Sequence, residues 1–232
     1  MNAKNLSERL KAVASFVPTG AVVADIGSDH AYLPCYLVHT GLIQRAIAGE
    51  VVHGPYEAAS TQVRLEGLQS SITVRLADGL TAIHDRDFVD TVTIAGMGGP
   101  LIVSILKNHP EKLQRVTRLI LQPNIYAKVI RDWALENNWA ILDEHILEED
   151  HKIYEILVLQ RGPMTLSDVE RLVGKKLMMR RSPVFLKKWS KEVLMWKRVL
   201  ASMEQAERTE ELIERRQELV NKIQMVEEVI GQ

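Results

Sequence analysis

An acidic residue two positions before a glycine, Asp25-Ile26-Gly27, is followed by Ser28, Asp29 and His30 just where an apolar run ends. Glycine lets the backbone turn tightly there, and the N–H groups that follow face a crevice suited to a nucleotide-like ligand. Asp25 is placed to meet an ammonium, such as that of a methionine-type tail, with His30 in reach of the same ligand. Glu50 stands 23 residues after Gly27, with Val51 beside it, and a carboxylate at that position accepts both hydroxyls of a ribose. Asp78-Gly79 offers a carboxylate to an adenine amino group. The run Ala95-Gly96-Met97-Gly98-Gly99 provides a small-residue floor where a ligand approaches the backbone, and Gln122-Pro123-Asn124 adds amide donors and acceptors. A dinucleotide's pyrophosphate is disfavoured, because Asp29 and Tyr32 stand where Gly-x-Gly-x-x-Gly needs its second and third glycines.

Each of these features follows an apolar, β-branched run: 21–26, 46–52, 72–76, 91–95 and 118–122 read as strands, with helices expected near 31–39, 54–67, 99–107 and 125–137. Strand, helix, strand order implies parallel pairing with right-handed crossovers, so the ligand residues gather at the carboxyl edge of a doubly wound sheet. Runs 139–147 and 153–159 are joined by only five residues, which permits an antiparallel hairpin. A mostly parallel Rossmann-like α/β sheet closing on such a hairpin is the arrangement of the class I methyltransferases, and it makes the expected cofactor S-adenosyl-L-methionine.

The β signal stops at Gly162-Pro163, so the expected domains are 1–162, Rossmann-like and cofactor-binding, and 163–232, helical. In the latter, Leu186, Trp189, Val193, Trp196, Leu200 and Met203 form one heptad stripe. Leu212, Arg216, Leu219, Ile223, Val226 and Ile230 form a second, and a turn near 207–210 predicts an antiparallel coiled-coil hairpin. The formal charge of −1 hides an asymmetry. Residues 163–198 hold 10 Lys/Arg against 3 acids, whereas 1–162 and 199–232 each sum to −4. A basic segment of that kind suits a polyanionic partner. No uncharged apolar run reaches 18 residues, the N-terminal segment 1–10 lacks the apolar h-region of a signal peptide, and the single Cys35 and the seven histidines show no metal spacing. A cytoplasmic protein without membrane or metal partners is expected, as a monomer or weak homodimer, with Cys35 a buried small hydrophobe on the first helix.

The segments 24–34 (Ala-Asp-Ile-Gly-Ser-Asp-His-Ala-Tyr-Leu-Pro), 46–50, Gly54-Pro55, 75–80, 93–99, 119–124, 147–150 and 184–189 together resemble the bacterial tRNA (adenine22-N1)-methyltransferases, the TrmK family. The resemblance runs through nearly the whole chain, departing at Ala77, where relatives carry glycine. It implies a class I fold with a C-terminal coiled-coil domain, S-adenosyl-L-methionine as donor and tRNA as acceptor.

Adenine N1 has its own lone pair, so such a reaction needs alignment and charge stabilisation and no general base. Asp29 is the candidate carboxylate facing the cationic product, with helix capping as its alternative role. Gln122 and Asn124 are candidates to orient the adenine amino group. N1 lies on the pairing edge, so the base must be unstacked; Tyr32 and Tyr126 are candidates to stack on it, with packing as the alternative. Lys4, Arg9, Lys11 and the basic segment are expected at phosphates. Two other classes fit parts of the pattern: a nicotinamide oxidoreductase, which Glu50 also suits, and a non-catalytic RNA-binding adaptor.

Overall fold

The computed structural model describes residues 2–203 and 209–231. They divide into two compact units, Met1–Thr165 and Leu166–Gln232. The first is a seven-stranded sheet with strands β1 (Val22–Ile26), β2 (Arg45–Glu50), β3 (Ile72–Leu76), β4 (Thr91–Met97), β5 (Arg118–Pro123), β6 (Trp139–Glu149) and β7 (Lys152–Arg161) in the order β3-β2-β1-β4-β5-β7-β6. The first five strands pair in parallel, and β7 runs antiparallel to both β5 and β6. The order reverses between β1 and β4, and the crevice at that switch point is where ligands bind in open α/β sheets.

Helices α1 (Glu8–Ser15), α2 (Tyr32–His39), α3 (His53–Leu65), α4 (Gly99–Asn108) and α5 (Ala127–Glu136) cover the sheet. Side chains alternate across the strands, so each face has its own core. Leu119 and Leu121 pack with Ile94, Ile102, Ile130 and Trp133 on one face, while Ile120 joins Val23, Leu37, Val63 and Val158 on the other. Cys35 is fully buried in the second core, and burial pushes its thiol up to about 12.

Three local readings are revised. β2 ends at Glu50, not Val52, because its ladder with β3 closes at Glu50↔Leu76, leaving Val51 and Val52 exposed. β4 continues through Gly96 to Met97 across an irregularity in its pairing with β5. Asp29 does not cap α2: that helix starts behind Ala31, which is left-handed (φ 53°) and makes no side-chain cap bond.

α1 has no counterpart among the expected helices. Val13 and Ala14 are its buried positions, with Leu6 and Val17 buried beside its two ends, Ser7 caps it through Leu10 N–H at 3.3 Å, and the Glu149 carboxylate of β6 receives Glu8 N–H at 2.6 Å and Arg9 N–H at 3.4 Å. An anion at a helix N-terminus satisfies orphan donors and opposes the helix dipole, so the long β6 strand pins α1 in place.

The second unit contains α6 (Asp168–Val173), α7 (Lys175–Arg180), α8 (Pro183–Met203) and α9 (Glu210–Gly231). Ser167 and Glu170 form a capping box on α6. The buried stripe of α8 is Phe185, Trp189 and Val193, and that of α9 is Ile223, Val226 and Val229; Leu186 and Ile230 sit at the half-buried flanks and Arg216 is exposed. A spacing of four keeps Phe185, Trp189 and Val193 in line, and the aromatic Phe185 takes the deep position beside Trp189, with ring centroids 6.4 Å apart. Of the expected turn near 207–210, residues 207 and 208 lie outside the described residues, and α9 begins at Glu210. No described helix is long and apolar enough to cross a membrane.

Candidate active site

A cleft of about 360 Å³ opens at the carboxyl ends of β1, β2 and β4, at the low end of the range typical of small-molecule sites. Its walls include Asp25, Gly27, Asp29, Glu50, Gly96 and Met97. Gly27 is left-handed (φ 71°), the backbone conformation that favours glycine, and the mobile end of the Met97 side chain packs over it.

Asp25 is 4 % exposed; Oδ1 accepts from Thr93 Oγ1 and Oδ2 from Ser28 Oγ, each at 2.6 Å. Burial raises its pKa, and the Ser28 and Thr93 hydroxyls oppose that rise. Glu50 is also buried, and its carboxylate accepts the N–H of Asp29, so the end of β2 fixes the turn after β1. Burial is the main cause of its raised pKa, opposed by the Asp29 N–H and reinforced by the nearby Asp25 and Asp29 charges. Asp29 itself adopts a left-handed backbone (φ 55°), and its exposed side chain borders the cleft with Oδ1 3.7 Å from His30 Nε2.

Gln122 lies behind the cleft and not in it. It is fully buried, its Oε1 accepts from Gly96 N–H at 2.9 Å and from Arg9, and its Nε2 donates to Asn124 Oδ1 at 3.3 Å. Asn124, exposed, donates to the Gly96 carbonyl at 2.8 Å. The two amides therefore hold the left-handed Gly96 (φ 80°) from both sides of its peptide. This corrects the expectation that Gln122 reaches substrate directly: its polar atoms are spent on the loop.

Asp78, Gly79, Val51 and His30 stand outside the cleft walls, while Ala95 lines them. Asp78 is exposed beyond β3, brought beside Glu50 by the bond from Ala77 N–H to the Glu50 carbonyl (2.7 Å). His30 is exposed and stacks on Tyr32 at 5.1 Å. Tyr126 is exposed and left-handed (φ 61°) at the start of α5. Among the described residues no group of three His, Cys, Asp or Glu could hold a metal.

Three contributors were not read as site residues: Thr93 and Ser28, which hold Asp25, and Arg9, expected at phosphates but turned inward onto Gln122. Leu6, Ser7, Leu10, Val13 and Val17 carried the signal for the helix that delivers Arg9, an N-cap followed by apolar positions at helical spacing.

The donor set suits a cationic ligand. Asp25, Asp29 and Glu50 face one cleft that would repel a pyrophosphate, while an ammonium and a sulfonium are attracted to it. The family model for tRNA (adenine(22)-N(1))-methyltransferase, TrmK, matches residues 23–228. The Bacillus subtilis (strain 168) tRNA (adenine(22)-N(1))-methyltransferase is 45% identical over 236 residues, spanning 99% of each chain.

The chain belongs to the TrmK family.

Solved TrmK-family relatives have the same architecture. The crystal structure of the B. subtilis M1A22 tRNA methyltransferase TrmK superposes with a TM-score of 0.93 at 44% identity, covering 98% of this chain and 99% of that one. Streptococcus pneumoniae Sp1610, solved in complex with S-adenosyl-L-methionine, gives 0.89 at 47% identity, covering 97% and 100%.

Proposed function

We propose that this TrmK-family chain methylates N1 of adenine 22 in tRNA with S-adenosyl-L-methionine as donor. The observation that carries the reading is the acidic switch-point cleft, Asp25 and Glu50 buried with Asp29 at the rim, in a chain whose family match spans 23–228.

When bound, the donor would supply a methyl group on sulfonium sulfur, whose carbon the adenine N1 lone pair attacks as the carbon–sulfur bond breaks and the neutral thioether leaves. Asp25 would take the donor's ammonium, with the hydroxyls of Thr93 and Ser28 keeping its carboxylate aimed. Glu50 would take the ribose hydroxyls. Asp78, with Gly79, lies next along the edge for the adenine ring, and Val51 and His30 flank it. Ala95, Gly96 and Met97 would form the floor under the reacting groups, with Gln122 and Asn124 as positioning residues that hold it. Asp29 is left to face the positive charge that develops on the methylated adenine, and no residue has to remove a proton from N1. Asp29→Asn is accordingly expected to lower kcat about tenfold to a hundredfold with the donor Kd within twofold of wild type; a donor Kd that rises as much as kcat falls would make Asp29 a cofactor residue only.

Residues 1–162 form the methyl-transferring domain in this reading and 163–232 a coiled-coil domain that guides the RNA, with exposed Arg180, Lys187 and Lys191 at phosphates. The nicotinamide alternative would put a pyrophosphate against three carboxylates, and the adaptor alternative leaves the cleft unused.

The deciding experiment incubates protein, donor and tRNA and identifies the nucleosides by mass spectrometry. The expected product is 1-methyladenine at position 22, absent from a transcript with guanine there, with tRNA affinity falling steeply as salt rises. Methylation at another base, or none, overturns the assignment.

A further inference from the structure

We infer that Tyr126, with Ile125 beside it, is the stacking ledge that receives the acceptor base once it has left the RNA helix, on the side of the cleft away from the donor. The inference rests on the tRNA-methylation reading and deepens it by naming a contact of the acceptor.

The acceptor's side follows from the order of the strands. With Asp25 at the end of β1 on the donor's ammonium and Glu50 at the end of β2 on its ribose, the donor would run along the edge from β1 toward β3, which leaves the ends of β4 and β5 for the acceptor. The segment 124–126 after β5 is fastened to the loop after β4. Asn124 N–H donates to the Met97 carbonyl at 2.7 Å, Asn124 Nδ2 to the Gly96 carbonyl at 2.8 Å, and Gly99 N–H to the Ile125 carbonyl at 2.9 Å. A Cβ on Gly99 would lie 2.3 Å from the Tyr126 carbonyl oxygen, so only glycine lets the two loops approach this closely. On this frame Tyr126 holds a left-handed backbone (φ 61°), which a bulky residue rarely adopts and which glycine or asparagine would take at less cost. The fold makes little use of the side chain in return. Tyr126 is 67 % exposed and Ile125 59 %, and among the described residues the Tyr126 side chain has no ring, cation or hydrogen-bond partner. Tyr32, the other aromatic candidate, is occupied: its ring stacks on His30 and it packs against the core. A base drawn out of a helix loses its stacking neighbours, and an exposed ring on a fixed backbone replaces them. A costly backbone conformation that leaves its aromatic ring in water beside a cleft marks a contact made with something outside the chain.

The test is a binding cycle on the intact protein with two forms of the tRNA, one with adenine at position 22 and one abasic there. Tyr126→Gly, which suits the left-handed backbone, is expected to weaken binding of the adenine form, or to lower its kcat/KM, by about fivefold to a hundredfold, the range for one base on one aromatic ring. Its affinity for the abasic form and for S-adenosyl-L-methionine should stay within twofold of wild type, which reports an intact fold and isolates the contact between ring and base. Tyr126→Phe should restore most of what Tyr126→Gly loses, since it keeps the ring. Equal losses for the two tRNAs would make Tyr126 a structural residue or a contact to another nucleotide and overturn the ledge, as would binding and kcat/KM of the adenine form both within twofold of wild type. A wild-type dimer that Tyr126→Gly dissociates would assign the ledge to a second copy of the chain and overturn it as well. A wild-type protein that leaves adenine 22 unmethylated overturns the acceptor reading itself.

Discussion

Asp25→Asn is expected to weaken S-adenosyl-L-methionine binding by at least about 30-fold while leaving the melting temperature at neutral pH equal to or above that of wild type. The two effects have one cause. The carboxylate is buried, and its ordinary pKa is raised chiefly because burial penalises the charge; the Ser28 and Thr93 hydroxyls recover only part of that penalty. A carboxyl whose folded pKa exceeds its unfolded value stabilises the fold most when protonated, and that contribution disappears as pH rises through the folded pKa. At neutral pH the wild-type fold therefore carries a destabilised charge, which a cationic ligand relieves. Asparagine has the same shape and still meets the two hydroxyls, which rotate to donate or accept, but it offers no charge to an ammonium. The stability advantage of the variant should shrink as pH falls and the wild-type carboxyl takes up its proton. Melting curves between pH 5 and 8, with calorimetric titration of the donor, test both halves. Unchanged donor affinity would remove Asp25 from the site, and a variant that melts well below wild type at every pH would mean that the charge supports the fold.

The same physics explains how much of the site was legible in the sequence. Asp25, Gly27, Glu50 and the 95–99 segment stand out because they sit at strand ends, and buried parallel strands announce themselves as apolar β-branched runs. Strand ends were harder. Val51 and Val52 continue the composition of β2, but pairing decides where a strand stops, and the β3 ladder stops at Leu76. The role of Gln122 was misread for a related reason: its residue type advertises polar contact, and only the packed fold shows that Gly96 and Arg9 consume it. Arg9 looked like one of several N-terminal cations. Nothing local distinguishes it from Lys4, exposed, or Lys11, paired with Glu8 at 2.7 Å; it is the attachment of α1 to Glu149, 141 residues away, that turns it inward. In the second unit the repeat was visible, but a heptad frame cannot choose between neighbours such as Leu186 and Phe185 when both are apolar.

The buried ion cluster under α5 was least legible and leads to the largest stability effect. Arg131 is 0 % exposed; its Nε donates to Glu144 of β6 at 2.7 Å and its Nη2 to Glu155 of β7 at 2.6 Å. The glutamates come together because Glu144 pairs with Leu157 and Ile146 with Glu155, which places both on one face of the hairpin. Burial disfavours the Arg131 charge, but Glu155 and then Glu144 outweigh it and raise its pKa. Arg131→Ala is expected to cost about 3–5 kcal/mol, because it leaves two buried carboxylates without this counter-charge. For a chain of this size that corresponds to a fall in melting temperature of roughly 6–20 °C. The pH dependence identifies the cause. Stranded carboxylates have folded pKa values above their unfolded ones, so the variant should recover stability as pH falls toward 5, and a simple cavity would cost the same at every pH. Replacing all three residues together, Arg131→Met with Glu144→Leu and Glu155→Leu, is expected to restore most of the loss, since an apolar trio of similar volume removes the charges along with their desolvation. A melting temperature of Arg131→Ala within 2 °C of wild type would refute the account. The effect should also reach the cleft. The hairpin that Arg131 ties to α5 carries Glu149 at the end of β6, Glu149 pins α1, and α1 holds Arg9 on Gln122 behind the cleft floor, so the variant should lose donor affinity even at temperatures where it remains folded.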